Sequence, residues 1–224
     1  ALHHESHAAA GAYTSKFDQA LVIVLDAIGE WNTCTTWEYN CNNNNPTLTN
    51  LQNKDYPHSF GIIYSAFTHR CVLIPAEDVY ILMGMAAYGD PNRFYRSIHR
   101  DLLTINNLGS NPLIYFKENL HRGCLWWQPE YNSPQDILDI ASSTQQVYEE
   151  IFDHVLKQAR MKTRSKNLVV MGGCALNCSA NSLAYNYFDN VWIMPNPGDA
   201  GSAIGAVLGY YDKHIAVSYT HLPL

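Results

Sequence analysis

Charge is scarce in this chain of 224 residues: 15% are Asp, Glu, Lys or Arg, and 20 acidic residues outweigh 14 basic ones. The basic side chains are scattered apart from a short run between Arg160 and Lys166. No basic face is available to follow a phosphate backbone, so nucleic acid is not an expected partner. Long apolar runs are missing too. No stretch approaches the roughly 18 apolar residues of a membrane-spanning helix, no signal-peptide pattern is visible, and no membrane partner is expected. The six cysteines lack the tight paired spacing of a zinc knuckle, as in Cys34-x6-Cys41 and Cys174-x3-Cys178. Reduced thiols and a cytoplasmic setting are the expectation. A Walker loop, a dinucleotide fingerprint and a repeat of fixed period are likewise absent.

What remains is 47% hydrophobic, enough to bury a substantial core as one large domain or two lobes. Residues 3 to about 13, rich in Ala and His, read as a short helix. Ala20 to Asp26 is an apolar, β-branched run of strand length that ends on a carboxylate, where α/β sheets place ligand chemistry. Residues 40 to 54, with Asn42-Asn-Asn-Asn45-Pro46, read as a polar surface loop or hairpin tip. Phe60 to Thr68 and Met83 to Tyr88 look helical, whereas Asn106 to Pro112 and Gly123 to Ser133 read as an irregular connector. Ser133-Pro134-Gln135-Asp136 is a helix start: a capping serine, proline at the first helical position and an acidic residue near the positive end of the dipole. Ile140, Thr144, Val147, Ile151 and Val155 mark one packed face down to about Met161. A strand (Asn167 to Met171), the turn Gly172-Gly173 and a helix through Asn181 follow. A last strand (Val191 to Met194) leads to a small-residue helix from Gly201 to about Tyr211. The alternation predicts an α/β fold.

Three places carry chemistry. His3 and His7 stand four apart, so a helix puts both imidazoles on one face, where they can grip one metal ion. Adding Asp26 and Asp199 gives two imidazoles and two carboxylates, a set suited to iron, zinc or manganese. The zinc-protease pattern His-Glu-x-x-His fits only loosely, because Glu5 sits midway between His3 and His7. Asp26 alone reads more readily as a turn cap than as a ligand. Asp199 lies in Asn196-Pro-Gly-Asp199-Ala-Gly201, where bare backbone and the following helix start can approach a metal or phosphate. The competing reading is a plain strand-to-helix turn, with Gly201 and Gly205 allowing tight helix packing. Gly172 and Gly173 can turn amides toward a phosphate, with Asn177 near enough to reach ribose or phosphate oxygens.

Six segments in order, His3-His-Glu-Ser-His-Ala-Ala9, Asp26-Ala-Ile-Gly-Glu-Trp31, His58-Ser-Phe-Gly-Ile-Ile-Tyr-Ser-Ala-Phe-Thr68, Met83-Gly-Met-Ala-Ala-Tyr-Gly89, Gly172-Gly-Cys-Ala-Leu-Asn177 and Pro197-Gly-Asp-Ala-Gly201, resemble the NodU/CmcH family of O-carbamoyltransferases. The resemblance runs to about residue 212. It implies an actin/sugar-kinase-like (ASKHA) α/β domain: a partial first lobe with the metal-binding helix and strand (1–95), a connector (96–132) and a second lobe with the nucleotide-binding turns (133–216). It implies that a partner domain resembling YrdC makes carbamoyl adenylate from carbamoyl phosphate and ATP, and that this domain passes the carbamoyl group to a hydroxyl of a small metabolite. The related alternatives are threonylcarbamoyl transfer to tRNA and a non-catalytic nucleotide-binding scaffold. Carried over by motif, His3, His7, Asp26 and Asp199 hold iron(II). Gly172, Gly173, Asn177 and Gly201 meet the adenylate, and Asp26 is also a candidate to accept the acceptor's proton. The family's lysine before the Met-Gly motif has no counterpart in Glu77-Asp-Val-Tyr-Ile-Leu82. The family's first phosphate-binding hairpin, before His3, and the YrdC-like portion are also missing. With no initiator methionine, and with residues 217–224 resembling a translated sequencing-library end, the chain reads as an internal piece of a longer protein with a non-native tail.

Overall fold

The computed structural model describes residues 2–42, 45–106 and 113–214. In chain order the elements are helix α1 (His3–Thr14), strands β1 (Gln19–Gly29), β2 (Asn32–Asn42) and β3 (Asn45–Asp55), and helices α2 (Phe60–Arg70), α3 (Val79–Met85) and α4 (Tyr95–Leu102). Strands β4 (Leu103–Asn106) and β5 (Leu113–Phe116), helix α5 (Pro134–Lys162), strand β6 (Asn167–Met171), helix α6 (Cys178–Asn181), strand β7 (Asn190–Ile193) and helix α7 (Asp199–His214) follow.

Contacts divide the chain into two compact units. One comprises Ala1–Tyr56, Ala159–Leu176 and Ala184–Leu224; the other comprises Pro57–Gln158 and Asn177–Leu183. These units interleave in sequence, unlike the consecutive blocks 1–95, 96–132 and 133–216. The physical reason is strand pairing: the first unit's early strand β1 finds its parallel neighbour in the late strand β6.

The first unit is built on a five-stranded sheet of order β3-β2-β1-β6-β7. Strand β1 pairs in parallel with β6, and β6 with β7. On its other side β1 pairs antiparallel with β2, and β2 antiparallel with β3. Strand β2 therefore runs against all the others. Every residue from Ala20 to Leu25 is at most 1% exposed, which explains why β1 is a continuous apolar run rather than an alternating one. Each larger aliphatic side chain there contributes about 1.5–3 kcal/mol by leaving water. The carboxylate of Asp26 thus rides on a firmly anchored strand. Ala8, Ala10 and Ala12 of α1 pack with Val22, Val24, Trp37, Tyr39, Val169 and Met171 into the core of this unit. Helix α7 lies against α1 closely enough that a Cβ at Gly205 would stand 1.8 Å from the carbonyl oxygen of Ser6.

Several expected boundaries change. Residues 40 to 54 are mostly strand, because β2 and β3 form a long hairpin whose Asn and Thr side chains hide its ladder from a hydrophobicity pattern. Asn43 and Asn44, at the expected tip, lie outside the described residues. The span 96–132 is not simply irregular. It contains most of α4 and the β4–β5 ribbon, whose four-residue strands are too short to show a period. Residues 107–112 of that expected connector and the expected tail 217–224 are outside the described residues. Residues 123–133 do lack regular structure, and the second unit pins them with one buried side chain: the Arg70 guanidinium donates to the carbonyls of Trp127, Gln128 and Tyr131. The helix expected to reach Asn181 is broken into a 3-10 turn at Gly173–Leu176 and the single turn α6. Asn177 causes the break, since its side chain accepts from the Ala180 N–H and restarts the helix as its cap. The start of α5 matches expectation. Ser133 Oγ donates to Asp136 Oδ2 and accepts from the Asp136 N–H.

Candidate metal centre

The parallel strands of the first unit end at one edge of its sheet, and the four expected ligands converge there. Asp26 stands near the end of β1. Helix α1 precedes β1 through a short turn and runs back along the sheet, which returns His3 and His7 to that same edge. Asp199 opens α7, just after β7. Its loop is tied to the end of β6, because the Gly172 N–H donates to the Pro197 carbonyl at 2.9 Å.

One donor atom from each of His3, His7, Asp26 and Asp199 lies within 4.8 Å of the other three. His3 Nε2 is 2.9 Å from Asp26 Oδ2 and 3.1 Å from His7 Nε2. His7 Nε2 is 3.2 Å from Asp26 Oδ2 and 3.3 Å from Asp199 Oδ1, and His3 Nε2 is 3.4 Å from Asp199 Oδ1. Ligands about 2.0–2.2 Å from one zinc-sized ion stand about 3.0–3.5 Å from their neighbours, so this spacing fits a single cation. The donor chemistry agrees: two carboxylates and two imidazoles suit a borderline divalent ion rather than a hard one such as calcium.

Burial grades across the cluster. The side chain of His7 is 0% exposed, Asp26 12%, His3 27% and Asp199 77%, so the group opens to solvent on the Asp199 side. Burial pushes the Asp26 carboxyl up, but hydrogen bonds from His7, His3 and the Ala27 N–H outweigh it and hold the group at about 2. Both Asp26 oxygens are engaged, Oδ1 by the Ala27 N–H at 2.8 Å and Oδ2 by the two histidines. Among the described residues, His7 Nδ1 has no hydrogen-bond partner. Packing in α1 orients this ring, not the second hydrogen bond that commonly steadies a ligating imidazole.

His4 was not an expected site residue and does not join the cluster. It is buried, with Nδ1 3.0 Å from Thr35 Oγ1, which also accepts from the Trp37 indole N–H. Burial pushes its imidazole down to about 4, with His3 and His7 acting in the same direction against Asp26. His4 is therefore a neutral tie from α1 to β2. Nothing in its sequence neighbourhood separates that role from a ligand's.

Each expected nucleotide contact has a structural setting of its own. Gly172 has φ +92, and a Cβ there would stand 2.1 Å from the Leu25 carbonyl oxygen. Only glycine can make this turn beside β1. Gly172→Ala is expected to cost about 2–3 kcal/mol through strain at this backbone conformation, measured as a lower urea midpoint at unchanged slope. A wild-type midpoint would show that the turn relaxes freely. Gly173 follows directly, and a Cβ on it would come within 3.1 Å of Asp26 Oδ1. Its bare backbone therefore sits beside the four-donor cluster. Gly201 serves a different purpose: a Cβ there would lie 1.8 Å from the Asn196 carbonyl oxygen, so it closes the turn into α7. Asn177 belongs to the second unit. Besides capping α6, its carboxamide exchanges hydrogen bonds with that of Gln145, both at 3.1 Å.

Comparison with known proteins gives a consistent result. The family described as "Carbamoyltransferase N-terminus" matches residues 1–208. An uncharacterized protein of Synechocystis sp. is 35% identical over 95% of this chain and 36% of its own length. Nodulation protein NolO of Bradyrhizobium diazoefficiens is 28% identical over 92% of this chain and 37% of its own. The chain thus spans little more than a third of these curated relatives. Among solved structures, HypF of T. kodakarensis superposes with a TM-score of 0.56 over 95% of this chain and 36% of its own, at 14% identity. That likeness concerns the mixed α/β fold. Among the described residues, no helix is long and apolar enough to cross a membrane.

Proposed function

This chain belongs to the carbamoyltransferase family, and from that membership we propose that it supplies the transfer step of an O-carbamoyltransferase, moving a carbamoyl group from carbamoyl adenylate to a hydroxyl of a small metabolite such as a sugar. The observation that carries this reading is the four-donor cluster at the end of β1, with a bare glycine turn beside it. The sheet in which β2 alone opposes its neighbours supports placing the first unit with actin/sugar-kinase-like domains. We assign adenylate synthesis from carbamoyl phosphate and ATP to a YrdC-like domain of the whole protein. Use of ATP supports a cytoplasmic setting.

In the proposed step the acceptor oxygen bonds to the carbamoyl carbon, and the bond from that carbon to the phosphate oxygen breaks. AMP departs and the hydroxyl proton passes to a base. His3, His7, Asp26 and Asp199 would hold a divalent ion, iron(II) in this reading, which supplies Lewis-acid polarisation to a carbonyl made unreactive by its nitrogen. The amide of Gly173 is assigned to the adenylate phosphate, while Gly172, whose own N–H is held by the Pro197 carbonyl, shapes the turn that presents it. Asn177 and Gly201 have internal tasks that account for their identity without a nucleotide. Asp26 is assigned as ligand in preference to base, because both of its oxygens already serve hydrogen bonds that fix it.

The test is metal analysis of the complete protein, followed by AMP release with carbamoyl phosphate, ATP and a panel of hydroxylated acceptors. AMP formation that rises with one acceptor class, together with about one bound divalent ion per chain, is the expected outcome. Metal-free protein whose AMP release ignores every acceptor would remove the proposal.

A further inference from the structure

The hairpin between β1 and β2 is turned by Glu30 and Trp31, joining Gly29 to its partner Asn32. Glu30 has φ +51, in the left-handed region that side chains other than Gly, Asn and Asp avoid. A glycine or asparagine would form the turn with less strain. Two contacts give this unfavourable choice a purpose. The Glu30 carboxylate accepts from the backbone N–H of His3, at 3.1 and 3.3 Å through its two oxygens. That N–H is one of the unsatisfied donors at the start of α1, where the helix dipole also favours negative charge. The preceding residue, Gly29, faces the histidine rings. A Cβ on it would come within 2.4 Å of His3 Cδ2 and 2.7 Å of His4 Cδ2. His3 Cδ2 is bonded to Nε2, the atom that meets Asp26, His7 and Asp199.

We propose that Gly29 and Glu30 are positioning residues of the metal centre: Glu30 anchors the backbone of His3, and Gly29 leaves the space that sets its ring. The inference rests on the metal reading above and extends it to a turn outside the ligand set. A helix start is prone to fray, and His3 is the first residue of α1, so without the anchor the backbone of this ligand would be free to fray away from the cluster.

Cobalt(II) titration of the full chain, followed by its visible d–d absorption, provides the test, with the thermal midpoint of metal-free protein measured in parallel. Glu30→Gly relieves the left-handed strain while deleting the anchor, so it separates stability from positioning. The metal-free midpoint should stay the same or rise while cobalt affinity falls about tenfold, the lower end of what outer partners of metal ligands contribute. Glu30→Gln, which keeps an acceptor for the His3 N–H, should recover most of the affinity. Gly29→Ala should weaken cobalt binding further and alter the absorption envelope, because it displaces the ring itself. Wild-type affinity in Glu30→Gly overturns the proposal while the metal reading stands. A wild-type chain that binds no cobalt overturns both.

Discussion

Carbamoyl transfer by the complete enzyme should fall at least about 10²–10³-fold in His3→Ala, the range lost when one preorganised electrostatic group is deleted, while adenylate formation continues. His3 Nε2 lies within 3.4 Å of donor atoms on all three other members of the cluster, so its removal leaves no complete half of the site. Its side chain is 27% exposed, and losing it opens little buried volume, so stability should change by less than about 1 kcal/mol. The signature is a normal thermal midpoint, depleted metal and adenylate that accumulates without acceptor turnover. His7 would be the poorer probe. It is fully buried, and its truncation mixes ligand loss with a cavity. Full transfer by metal-depleted His3→Ala would take the ion out of the chemistry.

Gly205→Ala is expected to act on fold and site together. A single methyl group at that position would sit 1.8 Å from the Ser6 carbonyl oxygen and 2.5 Å from the Ala10 nitrogen, both on the α1 backbone. Backbone atoms of a packed helix cannot rotate aside, so α7 must separate from α1. The expected loss is about 3–5 kcal/mol, in the range reserved for severe overpacking and strain. The separation also carries Asp199, the first residue of α7, away from His7 on α1. A misplacement near 1 Å can cost about 10²-fold in rate, and with one donor displaced, metal affinity should fall too in conditions that keep the variant folded. Wild-type cobalt affinity in a folded Gly205→Ala chain would show that Asp199 follows its loop and not its helix.

The parts of the fold legible in the sequence are those whose side chains report their surroundings directly. Ala20 to Leu25 and Leu168 to Met171 are buried on both faces, so their unbroken apolar character is enough to mark strands. Ser133 and Asp136 announce the start of α5 through a local hydrogen-bond exchange. By contrast, β2 and β3 owe their conformation to pairing with β1 and with each other, and asparagine-rich strands give no apolar period. The break at Asn177 depends on a side chain choosing the Ala180 N–H, a choice invisible in a string of helix-tolerant residues. Of the site, the four donor residues were legible because a histidine pair, a strand-end carboxylate and a carboxylate in a glycine-rich turn carry their chemistry in their identity. Gly29 and Glu30 were legible only as part of a motif. Their task arises from the nearness of His3, which stands 27 positions from Glu30 and meets it only in the folded protein.

His7 and Asp199 are 192 positions apart in the chain, and this separation sets a schedule for synthesis. During translation the first three donors leave the ribosome long before the fourth. The nascent chain can offer at most His3, His7 and Asp26 until nearly all of the residues described above have emerged. In the proposed reading, loading of the ion is therefore a late event, and a product that ends before Asp199 would offer three of the four donors.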